Sequence, residues 1–294
     1  MDFKLNNTVS SFDISSKFDL IHIGKKITIE AIGLVNTQNH NSIYWAKNKV
    51  FLDERECGIV VCSNLDFKLI RKNENVTYLI SDKSPKLIFS KILNEILKSD
   101  FNSDFINKID DFKNKSITVG ENVFIGENVK IGKGTIIHHN VSIYSNTTIG
   151  ENCVIQSNVS IGTEGLGLEL DPETDLYVKF PQIGGVIIED YVEIGPGSTV
   201  RRAALDNTTI RKGTKIGALC NIGHNCIIGK NCILTCNIIT SGSSIIGDYS
   251  FLGVGSIIKN GINIGDKVTL GQGSIVVKNI PEGETWIGNP ARKI

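Results

Sequence analysis

Beyond about residue 115 the chain sets an aliphatic side chain at every ~6th position and fills the intervals with polar residues. Val119, Ile125, Ile131, Ile137, Ile143, Ile149, Ile155 and Ile161 share one register. The register returns at Ile188, Ile194 and Val200, shifts near Asp206, and runs on through Ile210, Ile216, Ile222, Ile228 and Leu234 to Val276. An α-helix cannot carry this pattern, because a period of six drifts around a turn of ~3.6 residues. A short strand followed by a turn can. Each repeat then forms one flat side of a prism, with its aliphatic residue inward and the next residue at the corner. Many of those corner residues are glycine, as in Ile125-Gly126 and Ile149-Gly150, which suits a backbone that a Cβ would oppose. Three sides make a coil, and stacked coils bury a core that no single repeat could bury.

Two segments break the period. Residues 165–185 (GLGLELDPETDLYVKFPQIGG) are too long and too polar for a coil side and should leave the prism as a loop. The shift around Arg201 to Asp206 is short enough for a local bulge. Cys220, Cys226 and Cys232 each stand two residues before an inward aliphatic residue, so they should point into the core as small hydrophobes.

The first hundred residues lack the period. Residues 27–35 (ITIEAIGLV), 58–62 (GIVVC) and 76–80 (VTYLI) read as strands. Ser84-Pro85 opens residues 86–98, whose apolar positions follow helical spacing. The expectation is a small α/β domain over 1–110, ending in a polar linker at 102–115, and a repeat domain over 111–294.

Composition narrows the function. Lysine and arginine total 31 against 31 acidic residues, which removes the electrostatic case for nucleic acid. No apolar run approaches the ~20 residues of a spanning helix, and the first residues lack the apolar core of a signal peptide. Membrane insertion is not expected. The seven cysteines have neither the pairing of a disulfide framework nor the spacing of a zinc site, so a reducing, cytoplasmic setting without a metal is expected.

Three stretches occur together: GLGLELDPETDLYVKFPQIGGVII, RRAALDNTTI and KIGALCNIGHNCIIG. With AIGLVNTQNHNSIYWAKN and SPKLIFSKIL in the first domain, they resemble the UDP-3-O-acylglucosamine N-acyltransferases and related N-acyltransferases of nucleotide-linked amino-deoxysugars. The resemblance implies a left-handed parallel β-helix of hexapeptide repeats, preceded by a small α/β domain. The usual crossover rule alone would favour the right hand. It also implies a homotrimer with active sites in the clefts between subunits.

In that family a histidine on a coil activates the acceptor amine for attack on an acyl thioester, and the matching residue here is His224. Imidazole suits the task because it exchanges protons near neutral pH. The residue ~18 further on stacks one coil away. That residue is Gly242, where the family places a backbone donor for the oxyanion. Trp45, Asn48 and Phe51 match the aromatic, amide and aromatic residues that grip the nucleotide base. His138 and His139 lack the motif and read as structural.

Departures bear on the substrate. The acidic residue usual seven positions before the histidine is Gly217 here, leaving Asn221 or a backbone carbonyl to orient His224. A second family histidine corresponds to Gly261. The ending Gly288-Asn289-Pro290-Ala291-Arg292 resembles that of coenzyme A-dependent hexapeptide acetyltransferases, where Gly288, Asn289, Pro290 and Arg292 would lie beside the coenzyme with Gly242. These features point to acetyl or 3-hydroxybutyryl transfer from acyl-CoA to a nucleotide-linked amino sugar, specifically a dTDP-3-amino-3,6-dideoxyhexose. The alternatives are a lipid A acyltransferase using acyl carrier protein and a non-catalytic trimeric scaffold.

Overall fold

The computed structural model describes residues 2–34, 37–97, 107–112 and 116–294. It divides into two compact units, Met1–Phe101 with Leu166–Pro181, and Asn102–Gly165 with Gln182–Ile294. The expected boundary at residue 110 is thus corrected twice. It falls earlier, and 166–181 clusters with the first unit because its polar contacts run to a helix there. Much of the expected linker lies outside the described residues. Ile109–Phe112 within it forms a short 3-10 turn, and Phe112 is buried in the core of the second unit.

In the first unit, β1 (Phe3–Ser10), α1 (Ser11–Lys17), β2 (Ile21–Ile23), β3 (Thr28–Ile32), β4 (Ser42–Trp45), α2 (Lys49–Asp53), β5 (Gly58–Ser63), α3 (Asn64–Lys68), β6 (Val76–Ser81) and α4 (Pro85–Ile96) follow in order. The sheet runs β1-β3-β4-β5-β6-β2. Its inner pairs are parallel and its outer two antiparallel. Residues 58–62 of β5 are all buried, as a near-continuous apolar run in a central parallel strand requires. Helix α4 starts where expected, with Pro85 in its first turn and the Ser84 hydroxyl accepting from Leu87 N.

The segment 166–181 is a β-hairpin of Leu168–Asp171 and Leu176–Lys179 rather than an irregular loop. Glu169 and Asp171 alternate to one face of their strand and meet Lys86 and Lys91 of α4 at 2.5 and 2.6 Å. Lys83 meets Glu173 at 2.7 Å, and Phe180 packs beside Phe89 with ring centroids 6.0 Å apart.

The second unit is a prism of three sheets with 10, 8 and 7 strands, parallel except for Arg292–Lys293, which runs antiparallel to Thr285–Ile287. Stacked partners such as Asn221 and Ile239 are 18 residues apart. Across the hairpin the offset is 39, and across the bulge at 201–206 it is 22. All three sheets resume their register after each interruption.

One detail of the corner differs from expectation. The left-handed backbone belongs to a residue two places after the corner glycine, such as Asn128, Asn225 and Asn231 with φ of +55°, +60° and +51°. Asparagine tolerates that region better than most residues. Glycine follows the aliphatic residue because coils stack closely. A Cβ on Gly132 would lie 2.5 Å from the Gly150 carbonyl carbon.

Cys220, Cys226 and Cys232 are buried in the prism core, as their spacing predicts. Their thiols donate to the carbonyls of Thr235, Ser241 and Gly247 at 2.9, 3.2 and 3.1 Å. Burial pushes all three thiols up from their ordinary range, so they stay protonated and inert.

Candidate active site

One edge of the prism, where each strand of the 8-stranded sheet turns into the 7-stranded sheet, collects every departure from the repeat. The hairpin leaves between Ser160–Thr163 and Gly185–Ile188, and the bulge between Thr199–Arg201 and Asn207–Ile210. His224 follows on the next coil, between Asn221–Ile222 and Ile227–Ile228, and Gly242 on the one after.

The stacking predicted from the repeat brings His224 and Gly242 together. A Cβ on Gly242 would lie 2.5 Å from His224 Nε2. A Cβ on Gly165, the last residue before the hairpin, would lie 2.7 Å from His224 Cδ2 and 3.0 Å from Gln182 Oε1. The imidazole therefore sits in a slot between two glycines. Among the described residues no acceptor meets the Gly242 N–H, while its carbonyl accepts from Gly261 N at 3.0 Å and from the Asn260 amide. That leaves an unengaged donor on the residue stacked against the ring, a pairing of groups able to serve an oxyanion and a base.

The residue touching His224 Nδ1 is Asn225, at 2.9 Å. Asn221, the side chain expected to orient the ring, instead accepts from Arg201 Nε at 3.5 Å. Asn225 and Gly165 escape sequence reading because a corner asparagine and a loop glycine are common throughout this chain.

Gly217 is explained by packing. A Cβ there would lie 2.8 Å from the Thr235 carbonyl carbon, so a carboxylate at this position would require the stacked backbone to shift. Gly261 holds a left-handed corner with φ of +71°, a backbone that glycine adopts without steric cost. His139 occupies the same repeat position as His224 but accepts from Glu121 N through Nδ1 at 2.9 Å, a cap between coils that fits a structural role.

The three residues expected to grip a nucleotide base lie close together in the first unit, at the end of β4 and the start of α2. Trp45 ends β4 and is half-buried, with Lys47 Nζ 5.8 Å from its ring. Asn48 caps α2, its Oδ1 accepting from Phe51 N at 3.1 Å. Phe51 packs at the edge of the core, under the Arg55 guanidinium at 4.5 Å. The cap engages the Asn48 oxygen and leaves its NH2 group unengaged among the described residues.

Gly288, Asn289 and Pro290 form an exposed turn, with Gly288 at φ +96° and its carbonyl accepting from Ile275 N at 3.0 Å. Arg292 is exposed, with Nη1 on the Ala291 carbonyl at 2.9 Å. Ile275 lies three coils from Asn221 in the same sheet, about 14 Å at ordinary strand spacing. Within one chain these residues are not brought to His224.

Family models place the fold. Residues 128–163 and 207–237 match the bacterial transferase hexapeptide (six repeats), and 244–278 match the hexapeptide repeat of succinyl-transferase. These matched repeats and the solved structures below make the prism a left-handed parallel β-helix of hexapeptide repeats. The chain is similar to UDP-3-O-acylglucosamine N-acyltransferase 2 of Rhodopseudomonas palustris, 40% identical over 132 residues, covering 45% of this chain and 35% of that protein. A 56-residue stretch is 55% identical to the UDP-3-O-acylglucosamine N-acyltransferase of Christiangramia forsetii, covering 19% of this chain and 16% of that one. The first of these matches spans only about a third of the relative's length. Among solved structures, LpxA from Acinetobacter baumannii superposes with a TM-score of 0.53 at 25% identity, over 60% of this chain and 67% of that one. The UDP-N-acetylglucosamine acyltransferase of Francisella novicida gives 0.55 at 22%, over 61% and 64%.

Proposed function

We propose that the protein is an N-acyltransferase that moves an acyl group from a thioester to the amine of a nucleotide-linked amino sugar. The observation that carries this reading is the His224 imidazole lodged with Nε2 against Gly242, whose N–H meets no acceptor among the described residues, and with Nδ1 engaged by Asn225. His224 takes the proton that the attacking ammonium must lose, and the Gly242 N–H steadies the oxyanion of the tetrahedral intermediate. Trp45, Asn48 and Phe51 hold the nucleotide base, with flat rings for stacking and an amide donor for a base carbonyl.

The names of the relatives favour a UDP-linked glucosamine acceptor of the UDP-3-O-acylglucosamine kind over a dTDP-linked 3-amino-3,6-dideoxyhexose. They thereby favour acyl carrier protein as the donor's carrier, following the resemblance drawn above. The second reading, a short acyl group from acyl-CoA onto a dTDP-amino sugar, keeps support from Gly217, Gly261 and the Gly288 to Arg292 turn. Both readings carry the homotrimer that the resemblance implies.

The test is thioester consumption by the purified protein. Acetyl-CoA, 3-hydroxybutyryl-CoA and 3-hydroxyacyl carrier protein are each offered with UDP-3-O-acylglucosamine and with a dTDP-3-amino-3,6-dideoxyhexose, and His224→Asn runs in parallel. Turnover with acyl carrier protein and the UDP sugar, reduced roughly 10²–10⁴-fold in the variant, supports the first reading. Turnover only with acyl-CoA and the dTDP sugar selects the second. Silence with every pair would leave a β-helical scaffold.

A further inference from the structure

A neutral imidazole can act as a base only through the nitrogen that lacks a proton, so its tautomer must be fixed by something. Nδ1 of His224 contacts Asn225 Oδ1 at 2.9 Å. That oxygen also receives the backbone N–H of Ala204 at 3.1 Å. A backbone N–H only donates, so the side-chain atom facing it must be the amide oxygen and not its NH2. The same oxygen faces His224, and an oxygen accepts. Nδ1 must therefore carry the proton, which leaves the lone pair on Nε2, the nitrogen in the slot beside Gly242.

Asn225 itself is pinned. Its backbone is left-handed, φ +60°, and its N–H donates to Thr208 Oγ1 at 2.9 Å. Ala204 belongs to the bulge at 201–206, a detour that the repeat does not need and that the proposed chemistry leaves unassigned. Two other pairs of corner asparagines bond side chain to side chain instead, Asn122 to Asn140 at 3.2 Å and Asn128 to Asn146 at 3.4 Å. Here the bulge brings a donor that turns the amide oxygen toward the histidine.

We infer that Asn225 and the Ala204 N–H form a positioning pair that holds His224 as its Nδ1–H tautomer without a carboxylate. This deepens the acyltransfer reading by naming what orients the base. His139 supplies an internal contrast. Its Nδ1 accepts from Glu121 N, so it carries its proton on Nε2 and is the opposite tautomer.

The test is a long-range ¹H–¹⁵N spectrum of the histidine-labelled full chain at a pH where the rings are neutral, with His224→Asn and His139→Gln assigning the two rings. His224 should show a pyrrole-type Nδ1 and a pyridine-type Nε2, and His139 the reverse. Asn225→Gly suits the left-handed corner and removes the acceptor. It should mix the two tautomers of His224 and lower kcat about 10- to 100-fold with KM nearly unchanged. Asn225→Asp keeps an oxygen and tolerates the corner, and should restore the wild-type tautomer. A wild-type His224 with its proton on Nε2, or a glycine variant with unchanged tautomer and kcat, overturns the inference. The tautomer reading needs no substrate, so the expected spectrum with no turnover from any substrate pair would sink the acyltransfer reading alone. Turnover with the opposite tautomer would sink only the positioning pair.

Discussion

A ring held between two glycines can be displaced by a single methyl group. At Gly242 the added carbon would stand 2.5 Å from His224 Nε2, well inside van der Waals contact and directly at the basic nitrogen. Gly242→Ala should therefore lower kcat at least tenfold while leaving the melting temperature within a few degrees, measured by thioester consumption and thermal unfolding. Gly165→Ala pushes on Cδ2 instead and should have a smaller effect in the same assays. Both members of the His224–Gly242 pair were legible in sequence, because a fixed coil length dictates which residues stack. Asn225 was not. Its type recurs at corners along the whole prism, and what sets it apart is a backbone donor from a bulge, a contact that side-chain spacing cannot reveal.

At the scale of elements, the hairpin is fastened to α4 and the residues just before it by lysine–carboxylate pairs, of which Lys91–Asp171 is the most enclosed. The ammonium of Lys91 holds the Asp171 carboxyl below its usual range. A carboxylate depressed in the docked state favours docking above the ordinary carboxylate range, and that contribution is lost as pH falls through the lowered value. Hairpin amide shifts, such as those of Leu176 and Tyr177, should stay constant from pH 7 through pH 5 and move only in stronger acid. Asp171→Asn should loosen the hairpin at neutral pH and flatten that dependence. Sequence reading identified 166–181 as an excursion from its length and polarity. It missed the two strands because the alternation of leucine with acidic residues in Leu168–Asp171 serves a helix far away in sequence, and Leu176–Lys179 is too short to show a period of its own. It likewise missed β2, β4 and the short helices of the first unit, which have too few residues for a period to emerge, and β1, whose middle residues Asn6, Asn7 and Thr8 are polar and exposed.

At the scale of the whole molecule, the repeat made the prism legible almost residue by residue, since inward positions fall on a fixed count and the core follows. The outward positions say something different. Ile239, Ile257 and Ile275 stack on one sheet and Ile227 and Ile245 on the next, with Ile239 and Ile245 about two-fifths exposed. Apolar columns of this kind suit burial against another copy, so sedimentation should report a trimer, and Ile239→Lys should shift it toward monomer. Handedness was not legible, because no count of residues distinguishes a left-turning coil from a right-turning one. The gathering of hairpin, bulge, His224 and Gly242 along a single edge carries a consequence for how such a chain can change. Residues can be added or removed at that edge without altering what any other coil meets, as the restored register after both interruptions demonstrates. Selection can thus vary the rim of the site while inheriting the pillar intact, and an engineer who wishes to graft a new acceptor preference has one seam at which to cut.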